Sequence, residues 1–471
     1  MRFIADLHIH SRYSRATSKD LDFPHLYTWA LNKGIQVVGT GDFTHPKWYE
    51  EIELYLEEEA DSNLFVLKEE YKKISLPGVA SEYDIRFLLT TEISCIYKRH
   101  GKTRKVHHVV LAPNWKVAQE IRWKLAKIGN IESDGRPILG LDSYDLLYLL
   151  LEISPDIILI PAHIWTPWFS LFGSKSGFDT MEECFAELSS HIYALETGLS
   201  SDPAMNWMCS QLDKYLLVSN SDAHSPSKLG RESNIFDCDI TAESIFHALR
   251  TGQGFCGTME FYPEEGKYHL DGHRKCQVRM SPEETLQQNG ICPVCGKPVT
   301  LGVLYRVLEL ADRKFGERPE NALPYSSIIP LESILSEIFE VGGSSKKVQQ
   351  EYFRLLKLFG SELDILQNVD LEILEKKNSA IFAEAIRRVR QGNIVLQGGY
   401  DGEFGIVKIF ENSEKKEFLP CLFVEGIGNI SNQKEKALPK SKNIKNISKQ
   451  EEKELPKSKN VKNISKQEEK E

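Results

Sequence analysis

The chain has 471 residues, 41% of them hydrophobic and 27% charged, with a formal net charge of −10. That is material for two to four domains of ordinary globular composition, at ~100–200 residues per domain. Its longest apolar runs, such as LLYLLLEI from Leu146, are far shorter than the ~18 residues that span a bilayer. Its nine cysteines are too scattered for a disulfide framework. Membrane, secreted and collagenous classes are excluded, and a cytoplasmic protein is expected.

Strand-like runs come first in chain order: FIADLHI, IQVVGT, IRFLLTTEI, VHHVVLA, DIILIPAH, YALETGL and YLLVSNSDAH, beginning at Phe3, Ile35, Ile85, Val106, Asp156, Tyr193 and Tyr215. Amphipathic stretches separate them. In the first, Phe23, Leu26, Tyr27, Ala30 and Leu31 recur at helical spacing before Gly34. Near-continuous apolar strands alternating with helices predict a parallel sheet covered on both faces, and seven such units predict a closed β/α barrel over residues 1–262. A short module rich in Gly, Pro, His and Cys follows (263–302), then a mainly helical region (303–433). The tail, 434–471, holds 12 Lys and 7 Glu, so the rest of the chain carries about −15. It contains a 17-residue tandem repeat, LPKSKNIKNISKQEEKE then LPKSKNVKNISKQEEKE. Such a composition buries too little surface to order itself, and disorder is expected there.

Metal-ligand residue types cluster where the predicted strands end. Asp6, His8 and His10 alternate along the first; Asp42 ends the second and Glu92 the third; His108 lies on the fourth and His163 ends the fifth. Glu196 lies in the sixth, and Asp222 and His224 end the seventh. The C-terminal strand ends of a β/α barrel converge on one mouth. So many carboxylates at one mouth would repel one another unless cations sat among them. Imidazole with carboxylate suits zinc, manganese or iron, and adjacent metals suit phosphoester hydrolysis. A second signal is His273-x2-Cys276, 15 residues, then Cys292-x2-Cys295-Gly. CxxC followed by Gly presents two thiolates to one tetrahedral zinc, with Cys276 and His273 completing the site and His269 as an alternative. A module this small needs such an ion to fold.

The DLHIH start, the TxE, HHVVLA, PAH and SDAH together resemble the polymerase-and-histidinol-phosphatase (PHP) superfamily of metal-dependent phosphoesterases. The resemblance implies that His8, His10, Glu92 and Asp222 hold one metal and Glu92, His108 and His163 a second, with His224 and Asp42 at a third. Adjacent strand residues face opposite ways, so His108, which precedes the apolar run, is taken as the ligand, and His107, which also neighbours the site, as structural or as an outer partner of the ligands. The second motif departs from the family, reading TGDF rather than TDH, and RYSRAT lacks the family's extra His; His45 is a substitute. With GHRKC, CPVCGKP, YRVLELADR and GYDGEFG following in order, residues 1–412 resemble the endonuclease Q family of DNA-repair nucleases.

That resemblance implies a PHP-type (βα)7 distorted barrel, a zinc-binding module and a helical C-terminal domain that binds DNA. It implies incision 5′ to a deaminated base (uracil, hypoxanthine, xanthine) or an abasic site, leaving 3′-hydroxyl and 5′-phosphate. Glu92, Asp222 and His163 would be central to catalysis, with two or three divalent metals (Zn, Mn, Mg or Fe) in the barrel and one structural zinc. Trp165 and Trp168, on the loop after His163, are candidates to stack the damaged nucleotide, and Lys228 and Arg231 to hold phosphates. A DNA sliding clamp or other repair proteins are further partners, and the nucleoid is the expected location. The competing reading is a small-molecule phosphatase of the histidinol phosphatase kind, which would not need the zinc module or the helical region.

Overall fold

The computed structural model describes residues 1–72, 79, 83–411 and 414. Strands form at all seven predicted runs. The first, Arg2–Asp6, pairs in parallel with Val37–Gly39, which pairs in parallel with Arg86–Leu88. Leu89 then accepts a backbone hydrogen bond from Ala112 (3.0 Å), just past the strand Lys102–Leu111. That strand pairs with Ile158–Pro161. Ile164 N–H donates to Glu196 O (3.1 Å), Ala194–Glu196 pairs with Leu216–Val218, and His10 N–H donates to Ala223 O (3.2 Å). The ring is thereby closed. One apolar cluster takes Ala5, Val37, Leu88, Val109, Ile160, Ala194 and Val218, one from each strand, and Ile245, Phe246 and Leu249 of the helix Ala242–Thr251 pack into it.

One strand differs from the expected all-parallel barrel. It is Lys102–Leu111, which runs antiparallel to Ile158–Pro161 and, along its whole length, to Thr90–Arg99, the continuation of the third strand, from Thr90 opposite Leu111 to Arg99 opposite Lys102. The connection is two residues, His100 (φ 52°) and Gly101 (φ 72°). Two positive φ values in a row make the tight hairpin turn whose twist matches its strands, and Gly supplies one of them at no steric cost. Because opposite residues in such a pair share a face, Glu92 lies on the same face as its partner Val109, and hence as His107. His108 goes to the other face.

The helix Phe23–Lys33 forms as its pattern predicts. Asp22 caps it by accepting from His25 N–H (3.0 Å), Pro24 sits in its first turn, and Gly34 (φ 89°) ends it left-handed. Its buried Phe23, Leu26 and Ala30 join an outer apolar cluster that also contains Val348, Tyr352, Leu363 and Ile386 from the C-terminal helices Leu331–Phe339, Lys346–Phe359, Glu362–Gln367, Leu371–Lys377 and Ala380–Gln391. Lys33 Nζ and Tyr352 OH both donate to Glu362 Oε2 (2.5 and 2.6 Å), fastening these helices to the barrel.

The predicted segments interleave. Tyr325–Ser327 extends the barrel's first sheet by pairing with Phe255–Glu260, while GYDGEFG folds back onto the Cys/His module: Asp401 accepts from Arg274 N–H (2.7 Å) and Thr300 Oγ1 (2.6 Å). That module's own core is only Met280, Cys292 and Val299. The repeat tail, 434–471, lies outside the described residues.

Candidate metal centre

His8, His10, Glu92 and Asp222 meet at the ring's mouth, with one ligand atom from each within 4.8 Å of all the others. Glu92, with both oxygens buried, also forms a second such group with His107 and His163. Its Oε2 lies 3.3 Å from His10 Nε2 and 3.7 Å from His8 Nε2; its Oε1 lies 2.7 Å from His107 Nδ1 and 3.2 Å from His163 Nε2. The approaches are close, yet His8 Nε2, His10 Nε2, His107 Nδ1 and Asp222 Oδ1 are all buried without a hydrogen-bond partner. Lone-pair atoms aimed at common points rather than at one another are what a cation requires, since an orphaned buried polar atom is otherwise costly. The donor set, imidazole with carboxylate, fits zinc, manganese or iron.

The other carboxylates orient the imidazoles. Glu196 accepts from His8 Nδ1 (3.0 Å), from His163 N–H (2.9 Å) and from Asn220 Nδ2 (2.9 Å). Asp42 accepts from Ser11 N–H, Ser11 Oγ and Ser14 Oγ, each 2.7 Å, and faces His10 Nδ1 at 3.2 Å. Each partner fixes its imidazole with Nδ1 protonated and the Nε2 lone pair turned inward. Asp42 is thus fully engaged, and the expected pairing of Asp42 with His224 at a third metal does not form. His224 is half-buried beside His10, ring centroids 4.7 Å apart, with Nδ1 against Asp222 O (2.8 Å). Asp6 accepts from Ser221 and Gly230 N–H, away from the cluster. His45 caps the helix Pro46–Tyr55 and is not a substitute ligand.

Burial alone would lower His8 and His10, but Glu196 and Asp42 respectively lead the groups that hold them well above the ordinary imidazole value. Burial would raise Glu92, yet His107, Arg136 and His8 hold it well below the usual carboxylate range. Burial pushes His107 down to about 4, against the opposing pull of the Glu92 carboxylate. Asp42, His163 and Asp222 all carry positive φ (46°, 31° and 47°), a strained conformation that clusters at functional sites.

Three further sequence expectations are corrected. His107 takes the place expected of His108, whose Nε2 faces Ser143 Oγ (2.8 Å) and whose ring packs on Phe185, outside the ring of strands. Trp165 is core: it is buried, donates to Asn206 Oδ1 (2.8 Å) and packs on Phe172. Arg231 is tied to the backbone, Nε donating to Ser221 O (2.9 Å), and so braces the Asp222 turn. Lys228 lies 4.0 Å from Glu332 of the C-terminal helices. Trp168 stays exposed, edge-on to Tyr268. Arg136 was not anticipated; its Nη1 donates to Glu92 Oε2 (2.9 Å).

His273, Cys276, Cys292 and Cys295 form the other cluster, with Cys295 Sγ 3.3 Å from His273 Nδ1. Burial raises the Cys292 thiol, but hydrogen bonds from Cys295 and Val294 N–H and from His273 outweigh it and bring it to about 6, the direction a thiolate ligand needs. His269 is buried elsewhere, beside Trp168 and Tyr268.

Fold and site together define the class: a mixed α/β barrel with candidate metal clusters at its mouth. The crystal structure of the lesion-specific endonuclease PfuEndoQ from Pyrococcus furiosus is similar at 33% identity and a TM-score of 0.76, over 87% of this chain and 96% of that one. A structure of Endonuclease Q with a 27-mer duplex bearing an abasic lesion at its active site matches at 33% identity and a TM-score of 0.74, over 87% and 97%. Residues 330–393 match the family model described as the MJ0043 C-terminal domain. The uncharacterized protein MJ0043 of Methanocaldococcus jannaschii is 33% identical over 293 residues, 59% of this chain and 36% of that protein, so the match spans about a third of that relative's length. The chain belongs to the endonuclease Q family.

Proposed function

We propose that the protein is a metal-dependent DNA-repair endonuclease. It cuts the phosphodiester 5′ to a deaminated base (uracil, hypoxanthine, xanthine) or an abasic site, leaving 3′-hydroxyl and 5′-phosphate. The observation that carries this is the convergence of buried, unpartnered ligand atoms on Glu92 in a chain of an endonuclease family. Two or three divalent cations (Zn, Mn, Mg or Fe) would supply the Lewis acidity that activates a water and offsets charge on the attacked phosphate. His8, His10 and Asp222 would hold one on one side of Glu92, His107 and His163 another. Asp42 and Glu196 keep the imidazoles in the ligating tautomer, and zinc would close the four-ligand module.

Beside the site lies a cavity of about 370 Å³ lined by Trp168, Phe169, Tyr268 and His269. Phe169 packs 4.8 Å from His107, so the cavity adjoins the chemistry. In this reading it takes the extruded nucleotide, stacked on the rings, with the unpartnered, buried Nδ1 of His269 available to a base edge. The partner is lesion-bearing DNA, which places the protein on the nucleoid; a sliding clamp or other repair protein is a further partner to be sought by co-purification. Among the described residues, no helix is long and apolar enough to cross a membrane.

The test is cleavage of end-labelled oligonucleotides carrying uracil, hypoxanthine or an abasic site, with Mg²⁺, Mn²⁺ or Zn²⁺, and histidinol phosphate in parallel. Incision at the 5′ side of the lesion is expected. Phosphate release from histidinol phosphate with intact DNA would overturn the reading.

A further inference from the structure

Arg136 is a cation bonded to Glu92 that the ligand set leaves without a role. Its Nη1 donates to Glu92 Oε2 (2.9 Å), its side chain keeps 22% of its surface open, and its Nε and Nη2 make no hydrogen bond to the protein among the described residues. A structural arginine in this molecule looks different. Arg306 donates from Nε to Phe172 O (3.0 Å), from Nη2 to Phe178 O (3.1 Å), and pairs with Asp179 and Glu309. A guanidinium has five donors, so most of Arg136's capacity is unspent beside a phosphoester site.

The segment that delivers it is tightly held. Buried Asp134 accepts from Arg15 N–H (3.3 Å) and Arg136 N–H (3.2 Å), and its other oxygen pairs with Arg15 Nε (3.1 Å). Gly135 N–H donates to Tyr13 O (3.0 Å). Any Cβ at Gly135 would collide with Asp42 Oδ2 and Ser14 Oγ, the groups that orient His10. Arg136 therefore enters the site over the scaffold that sets a metal-ligand imidazole, a precision that a mere solvated charge would not need.

We propose that Arg136 is a catalytic residue: its free Nε–Nη2 edge grips non-bridging oxygens of the scissile phosphate, opposite the side held by Glu92. The planar fork matches phosphate geometry in a way an ammonium does not, and its charge matters most as negative charge builds on the phosphate during attack. This deepens the phosphodiesterase reading and rests on it.

The experiment uses full-length, metal-loaded enzyme, wild type, Arg136→Ala and Arg136→Lys. It measures single-turnover cleavage of an abasic oligonucleotide, hydrolysis of bis-p-nitrophenyl phosphate, lesion-DNA affinity, barrel metal content and thermal melting. Arg136→Ala is expected to keep its metals and bind DNA within ~10-fold of wild type, yet cut ~10²–10³-fold more slowly, the scale set by loss of one transition-state donor. Arg136→Lys should retain part of the rate, and added guanidinium ion should restore part of it to Arg136→Ala. An unchanged rate would overturn the proposal. So would loss of barrel metal with the rate recovered by excess metal, because Arg136 would then only neutralise Glu92. Wild-type enzyme inert on lesion DNA but active on the diester would sink the lesion reading alone, with the diester still judging Arg136; wild-type enzyme inert on both would sink both.

Discussion

Exchanging the two adjacent histidines separates the ligand from the core residue. His107 Nδ1 is one of three ligand atoms around the second position, with Glu92 Oε1 and His163 Nε2. Loss even of an outer partner that orients a ligand costs ~10–100-fold in metal affinity, so His107→Ala should cost at least ~100-fold, about 3 kcal/mol at 1.4 kcal/mol per decade. Because burial holds His107 neutral, the change strips no charge from the fold, and melting of the metal-free protein should shift little. His108→Ala is the converse. It empties a fully buried position, removes the contact with Ser143 Oγ (2.8 Å) and uncovers Phe185. A cavity plus a lost buried hydrogen bond costs ~2–4 kcal/mol, several degrees of melting temperature. The assay is barrel metal per folded chain, single-turnover cleavage and thermal melting on both variants. If His108→Ala lost metal and cleavage per folded molecule while His107→Ala kept both, the facing derived from the hairpin register would be refuted.

Asp42→Asn and Glu196→Gln should each weaken barrel metal binding ~10–100-fold, by titration with a competing chelator, because each releases the Nδ1–H of one ligand imidazole; unchanged affinity would make both carboxylates bystanders. Cys292→Ser/Cys295→Ser should lose one zinc per chain by elemental analysis and keep the barrel metals, with lesion cleavage falling sharply while slow hydrolysis of bis-p-nitrophenyl phosphate persists; full metal content would exclude the four-ligand site. Burial raises Glu260 from 4.5 to about 8, against hydrogen bonds from Thr258, Thr197 and Ser219. The folded state therefore keeps a proton that the unfolded chain has released, so this group costs stability progressively as pH rises from 4.5 toward about 8. Glu260→Gln should accordingly raise the melting temperature more at pH 8 than at pH 5, and equal shifts at both would contradict the assignment.

The sequence alone determined whatever depends on a few neighbouring residues. The helix from Phe23 is bounded by the Asp22 cap and left-handed Gly34, and CxxC with Gly296 (φ 70°) makes its own knuckle. Both are set by local dihedral and hydrogen-bond preferences, which travel with the residues. The seven apolar runs were legible for the same reason. Which face each run shows was not. The choice between His107 and His108 hangs on the pairing of Glu92 with Val109, and that register is imposed by a two-residue His100–Gly101 turn which turns one strand antiparallel. The turn signal was present in the sequence, but it reads as a hairpin only once both flanking strands are known to pair. Asp42, Glu196 and Glu92 are alike as residue types, and only the closed ring decides that Ser11 and Ser14 engage the first, His8 and Asn220 the second, and that the third faces both groups of candidate ligands with Arg136 on one oxygen. Arg136 had no local signal at all: it reaches Glu92 across 44 positions of chain, through a Gly135 passage that exists only where the folded backbone meets Asp42 and Ser14. Ligand competence is a matter of which lone pairs remain unspent after packing, and packing is long-range.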